Sequence, residues 1–164
     1  MSDSFSFAMG EFEANFPTDY LYAKNHMWAL PVSVSGEPDH EHPARIRFGL
    51  TAYAVRLLQD VYFLDWTIQP PCSVKLRGGI GSIESKKAES DLYSPVHGQL
   101  ISINEAVIDD PALINGSPYL DGWLLDFEVA GSDRDVLLTP EQYQEHLVEA
   151  WEVAQRTIKG QANQ

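Results

Sequence analysis

The chain has 164 residues, enough for one domain with a substantial core, and its 24 Asp+Glu against 11 Lys+Arg leave a formal charge of −13. Hydrophobic residues at 44% and charged residues at 21% exclude wholesale disorder. The carboxylate excess argues against nucleic acid, which needs clustered cations to displace counterions, and against an anionic membrane surface. A soluble carrier or enzyme meeting basic partners fits the charge, and so does plain solubility.

Cys72 is the single cysteine, so no internal disulfide can form and a Cys-based zinc site is ruled out. No apolar run approaches the roughly 18 residues of a membrane span. The start carries Asp3, Glu11 and Glu13 with no Lys or Arg before Pro17, unlike a secretory or transit signal, so a cytoplasmic location is expected.

Residues 1–19 mix Ser, acids and Phe5, Phe7, Phe12 and Phe16 without a settled period. They read as an N-terminal extension with a short helix docking through its phenylalanines. The aromatic and β-branched run from Tyr20 to Val34 predicts strand, with Pro31 at an edge or bend. Gly36 to Pro43 is polar and Gly/Pro bounded, a hairpin loop. Ile46, Phe48 and Leu50 alternate as in a half-buried strand. Thr51 is placed to cap a short helix over 52–59, after which 61–66 resumes as strand. Pro70-Pro71 breaks the chain, and strands are expected at 80–85, near Leu92 and Tyr93, and at 100–103. Residues 104–115 read as loop with a helical turn near Pro111. Leu125, Phe127 and Val129 alternate with Asp126 and Glu128 in a last strand.

At the C-terminus the period changes. Thr139-Pro140-Glu141-Gln142 has the composition of a capping box with Pro at the first helical position. Tyr143, Leu147, Trp151, Ala154 and Ile158 then share one helical face, and Gly160 is the expected stop. Trp151 on that stripe reads as core. The result is a β-rich domain with a terminal helix packed on it.

One hairpin stands out. Lys86 and Lys87 occupy its tip, flanked by Glu84, Ser85, Glu89 and Asp91. A lysine on a rigid turn suits a modifying ligase, although lysines at hairpin tips are most often simply solvated.

The surrounding residues resemble the H-protein family, the lipoyl carriers of the glycine cleavage system. Tyr22-x-x-x-His26-x-Trp28 resembles its opening strand, and Gly49-Leu50-Thr51-x-x-Ala54 the segment that begins its short helix. Glu84-Ser85-Lys86-Lys87-Ala88 resembles the lipoylation site, followed by Tyr93-Ser94-Pro95-x-x-Gly98. Asn104-Glu105-Ala106, Pro111-x-Leu113-Ile114-Asn115 and Tyr119-x-Asp121-Gly122-Trp123 resemble its tail.

The likeness runs from about Tyr20 to Leu147 and implies a biotinyl/lipoyl hammerhead, a flattened barrel-sandwich with a short internal helix and a C-terminal helix. The implied organisation is an extension over 1–19 and a lipoyl-carrier domain with its helix over 20–160. Lys87 matches the position of lipoyl attachment, with Glu84, Ser85 and Asp91 around the covalent lipoate. Lys86 stands where the family usually has valine. The implied protein is a substrate of other enzymes, modified by a lipoate ligase or lipoyltransferase.

Some residues leave the pattern. Met27 replaces an acid that the resemblance places at the cargo cavity, Gln59 replaces a glycine after the short helix, and Glu89 stands where small side chains are usual. The family resembled includes lipoate-binding carriers that serve sulfur oxidation with a heterodisulfide-reductase-like complex, and a neutral Met27 favours that branch. The alternative is a carrier of the aminomethyl group between glycine decarboxylase and aminomethyltransferase. A biotinyl carrier would show a Met-Lys-Met turn, which is absent, and an unmodified homologue would need no exposed lysine. An enzyme in its own right is disfavoured, since Cys72 has no evident base. His40 and His42 have possible metal-ligand spacing but read as solvated loop residues.

Overall fold

A computed structural model describes residues 3–41 and 44–162. Three antiparallel sheets build the fold. A hairpin pairs β1 (Ser4–Met9) with β2 (Phe12–Pro17). Six strands follow the order β3 (Leu21–Tyr22), β4 (Met27–Val32), β5 (Arg45–Leu50), β11 (Leu125–Glu128), β10 (Gly98–Ile103) and β7 (Cys72–Val74). The third sheet aligns β6 (Val61–Trp66), β8 (Gly79–Ser85) and β9 (Glu89–Tyr93). The helices are α1 (Ala52–Leu58), α2 (Glu105–Asp109), α3 (Ala112–Gly116) and α4 (Pro140–Ala162), with a 3-10 turn at Gly131–Val136. This is the expected flattened sandwich with a terminal helix.

The N-terminal residues form a hairpin instead of a helix. Phe5, Phe7 and Met9 alternate with small residues, which gives a strand one greasy face. Met9 pairs with Phe12 across a two-residue loop in which Gly10 takes φ +68°, a conformation that suits glycine. The phenylalanines do dock: Phe5 stacks on Phe16 at 4.9 Å, and Phe16 meets Tyr143 of α4 edge-on at 5.7 Å. The Tyr22 hydroxyl donates to the Pro17 carbonyl and ties the hairpin to the next strand.

Every residue of β4 is buried, because the strand separates two cores. Met27 and Ala29 face the sandwich interior with Ile46, Phe48, Ile83, Leu100 and Phe127. Trp28, Leu30 and Val32 face the second core, built with the N-terminal hairpin, Tyr53 of α1, and Tyr143 and Leu147 of α4. Gly49 lies opposite Trp28, where a Cβ would come within 2.6 Å of the indole ring. Burying the large ring thus requires that glycine. Pro31 sits beyond the reach of two-residue β3, so its missing N–H costs no ladder bond on that side.

The single strand expected over Tyr20 to Val34 is instead broken by a turn at Ala23–His26, where His26 has φ 68°. Residues 104–115 hold two short helices, the first capped by Asn104, whose side chain accepts from the Ala106 amide at 3.2 Å. The capping box forms: Gln142 Oε1 accepts from the Thr139 amide at 2.9 Å, and Thr139 Oγ1 from the Gln142 amide at 3.2 Å. Helix α4 continues to Ala162, past Gly160, since one glycine weakens a helix without forbidding it. Asp126, on the strand face expected to be solvated, is 1% exposed, clasped by Arg47 at 2.8 and 3.0 Å with Arg45 at 3.6 Å. The Arg47 guanidinium in turn lies 3.9 Å over the Trp123 ring.

The second core contains a buried polar junction. His26 Nδ1 lies 2.9 Å from the Tyr143 hydroxyl, which is 3.0 Å from Thr51 Oγ1, and the His26 ring stacks on His146 at 5.2 Å. Burial, aided by His146, lowers the His26 pKa to about 4. Because folding lowers this pKa, the folded state binds fewer protons than the unfolded chain. Its contribution is full above about pH 6.5 and is lost as pH falls through 4, amounting to up to about 3 kcal/mol. Urea midpoints measured across this window should fall with pH, and His26→Asn, which tolerates the same backbone, should flatten that fall.

Candidate functional site

The lysine turn spans Ser85–Ala88 between β8 and β9. Ser85 closes it: its amide donates to the Ala88 carbonyl at 2.8 Å, its hydroxyl donates to the same oxygen at 2.9 Å, and its Oγ accepts from the Ala88 amide at 3.2 Å. Lys86, Lys87, Ala88 and Glu89 are all exposed. Among the described residues the ion pairs join Arg45 and Arg47 to Asp126, and neither lysine takes part in one. A side chain standing free on a closed turn fits a covalently attached arm.

The turn is also bonded from below. The Lys86 amide donates to the Asp60 carbonyl at 2.8 Å, and the Lys87 amide to that of Leu58 at a longer 3.4 Å. These acceptors lie where α1 ends. Gln59 takes φ 61° and ψ −140° there, a region that costs a side-chain-bearing residue about 1–3 kcal/mol. The glycine usual in the resembled family has a physical reason at this position, and Gln59 endures the strain.

Asn115 holds the strained link. Its Oδ1 accepts from the Val61 amide at 2.9 Å, and its Nδ2 donates to the Gln59 carbonyl at 2.6 Å. A similar clamp is made by Asn104, whose Nδ2 donates to the carbonyls of Asp121 and Trp123 at 2.9 and 2.8 Å. Sequence reasoning quoted both asparagines as motif letters without assigning them work. Their signal was chemical: an amide side chain bonds two backbone groups at once.

The predicted site residues fall around one hairpin. Glu84 lies directly across from Glu89, and Asp91 across from Ser82, further down β9. Glu84, Glu89 and Asp91 are exposed, whereas Ser85 is half-buried. Asp91 accepts from the Tyr93 hydroxyl at 3.5 Å. Beyond Tyr93 is a cavity of about 240 Å³, with Asn25, Leu76, Arg77, Val136 and Leu138 in its walls.

Met27 faces the apolar interior, not the exposed surface around the lysine turn. Its side chain is 1% exposed, opposite Leu50 and inside the apolar interior. At a buried apolar position methionine is an ordinary choice. Cys72 is a partly exposed free thiol on β7. His40 is exposed and His42 lies outside the described residues; among the described residues no cluster of three or more His, Cys, Asp or Glu is placed to hold a metal.

A hammerhead-type sandwich presenting an exposed lysine on a tied turn is the architecture of a biotinyl/lipoyl-type carrier. A family model described as glycine cleavage H-protein matches residues 22–150. The glycine cleavage system H protein of Pectobacterium atrosepticum is 36% identical over 139 residues, covering 83% of this chain and 98% of that one. That of Thermobifida fusca is 39% identical over 130 residues, covering 77% and 91%. The crystal structure of a glycine cleavage system H protein from Mycobacterium marinum superposes with a TM-score of 0.62 at 32% identity, covering 78% of this chain and 95% of that one. The chain belongs to the glycine cleavage H-protein family, whose members carry covalently attached lipoate.

Replacing Asn115 by Leu should free the Gln59 carbonyl and the Val61 amide inside the fold. The expected loss is about 1–3 kcal/mol of stability, read from urea denaturation. At a temperature where the variant is still folded, enzymatic lipoylation should slow, because the turn loses its support. Unchanged lipoylation would mean that the clamp does not position the lysine.

Proposed function

We propose that Lys87 is the lipoylated residue, and that the chain is a cytoplasmic carrier of the aminomethyl group between glycine decarboxylase and aminomethyltransferase. The carrying observation is the match to glycine cleavage system H proteins at 36–39% identity over nearly their full length. The sulfur-oxidation reading rested on Met27, and a methionine in the interior gives it no support.

Once attached, lipoate would supply a disulfide that opens to accept a group at one partner and releases it at the next. The chain's own residues provide placement and recognition. Ser85 and the Asp60 carbonyl fix the turn, so the mobile part begins at the lysine side chain. Anchoring the arm keeps its end at high effective concentration near a docked partner.

Glu84 and Glu89 face one another across the ladder, a like-charged pairing that costs stability and is tolerable where both are solvated. With Asp91 they surround the lysine with negative charge, suited to a basic rim on the modifying ligase or lipoyltransferase and on the cleavage enzymes. Tyr62 and Phe63 on β6 are 60% and 51% exposed beside this acidic edge, adding apolar contact area for a docked enzyme.

Peptide mass spectrometry after lipoylation should place the group on Lys87. Lys87→Arg should abolish incorporation, while Lys86→Arg should retain it. Lipoate found solely on Lys86 would overturn the assignment. Reconstituted with glycine decarboxylase and aminomethyltransferase, the lipoylated chain should support turnover that declines with added salt. A fully lipoylated protein giving no turnover would contradict the glycine-cleavage reading.

A further inference from the structure

At the end of β6 away from the lysine turn lies a second concave surface. Val61 pairs with Ser85 beside the turn and Trp66 with Gly81, so the two ends are about 17 Å apart at the usual strand rise. The pocket there holds about 530 Å³, between the end of β6, the loop that follows it, β10 and α2. Leu64, Trp66, Ile68, Ile103 and Ile108 give it apolar walls, and Ile108 is 45% exposed. Three consecutive residues, Ile101 to Ile103, line it, which the alternating side chains of a regular strand would not allow. The bulge between Leu100 and Ser102 breaks that alternation.

We propose that this pocket is a docking site for a partner protein, taking an extended segment in which aliphatic side chains stand next to Lys or Arg. Charge complementarity selects the cation. Asp65 and Glu105 are exposed at the pocket, and among the described residues no Lys, Arg or His lines it. An apolar surface edged by carboxylates attracts a basic segment and rejects an acidic one. The charge of −13 also makes a second copy of this chain a poor occupant.

The backbone of the segment is selected by Trp66. Its Nε1–H is buried and bonds no group among the described residues. A buried donor without an acceptor costs free energy that a hydrogen bond recovers. An extended segment brings a row of backbone carbonyls, and one placed at the indole edge supplies the missing acceptor. Between the pocket and the turn the same strand exposes Tyr62 and Phe63, so the apolar surface continues along β6. A partner gripping the pocket is therefore held at one end of the strand while the lysine works at the other.

The test follows the full chain by NMR during titration with the hexapeptide GLRIKG, blocked at both termini. Binding at about 1 mM or tighter is expected, with the Ile68 and Ile108 methyl resonances shifted. The Trp66 indole proton, assigned through Trp66→Phe, should move downfield as its hydrogen bond forms. The acidic counterpart GLEIEG should leave all three in place. Glu105→Lys should weaken binding of GLRIKG about tenfold, whereas Glu149→Lys, the same charge change on α4, should alter it by less than about twofold. In reconstituted turnover, Ile108→Ser should raise the KM for the lipoylated carrier about fivefold with glycine decarboxylase or aminomethyltransferase and leave kcat unchanged.

Equal binding of the two peptides, shifts confined to residues outside the pocket, or an unchanged KM with both enzymes would overturn the proposal. So would Ile108 resonances that move on dilution of the protein alone, since a second copy would then cover the pocket. Absence of turnover with the unaltered carrier is failure of the glycine-cleavage reading, and the peptide titration then decides the pocket by itself.

Discussion

The amide of Lys86 donates to the carbonyl of Asp60, and the lysine turn is held by what lies beneath that bond. A hairpin tip with a three- or four-residue excursion normally frays into solvent, where each backbone bond is worth little. Here the tip is tethered to the end of α1, α1 is tethered by Asn115, and Asn115 belongs to a different part of the chain, 54 residues beyond Val61. The exposed lysine is thus the end of a continuous path of hydrogen bonds leading into the fold. A modifying enzyme can read its position as well as its charge.

Two cores share one strand, and that arrangement explains the choice of residues in the opening segment without recourse to function. Met27 and Trp28 point to opposite sides of β4, one into the sandwich and one toward α4 and the N-terminal hairpin. Gly49 gives way to the indole, and the Trp28 Nε1 donates to the Pro118 carbonyl at 2.8 Å. Pro118 also lines a surface groove between β2 and α1, and Phe12 reaches it from the hairpin. The packing that closes the second core therefore also shapes the surface next to the lysine.

Much of this was legible in residue patterns. The two-residue period of Ile46, Phe48 and Leu50, the Thr139 capping box and the Ser-Lys-Lys-Ala turn each carried a local signal that tertiary contacts did not override. Other features needed the third dimension. Gly10 flanked by alternating phenylalanines was a hairpin signal, but Ser and acids among them obscured the period. Asp126 alternates like a solvent residue, and only the fold shows Arg45 and Arg47 covering it. Met27 stands out as a departure by its place in the sequence, which carries no direction, and the strand turns that side chain inward. Asn115 and Gln59 were visible as letters, yet their work depends on which backbone groups lie within 3 Å of them.

The charge of −13 takes a more specific form around the hairpin, where Glu84, Glu89 and Asp91 ring a lysine that makes no ion pair among the described residues. Rim charge of this kind sets encounter rates and partner choice, while the hydrogen-bonded base sets where the arm begins. That base is the physical claim on which the functional reading stands, and amide hydrogen exchange at Lys86 tests it most directly. The bond to Asp60 predicts exchange slowed by at least about tenfold relative to an unstructured peptide, although the residue is exposed. Exchange at the unprotected rate would show a tip that moves freely of α1 and would contradict the account.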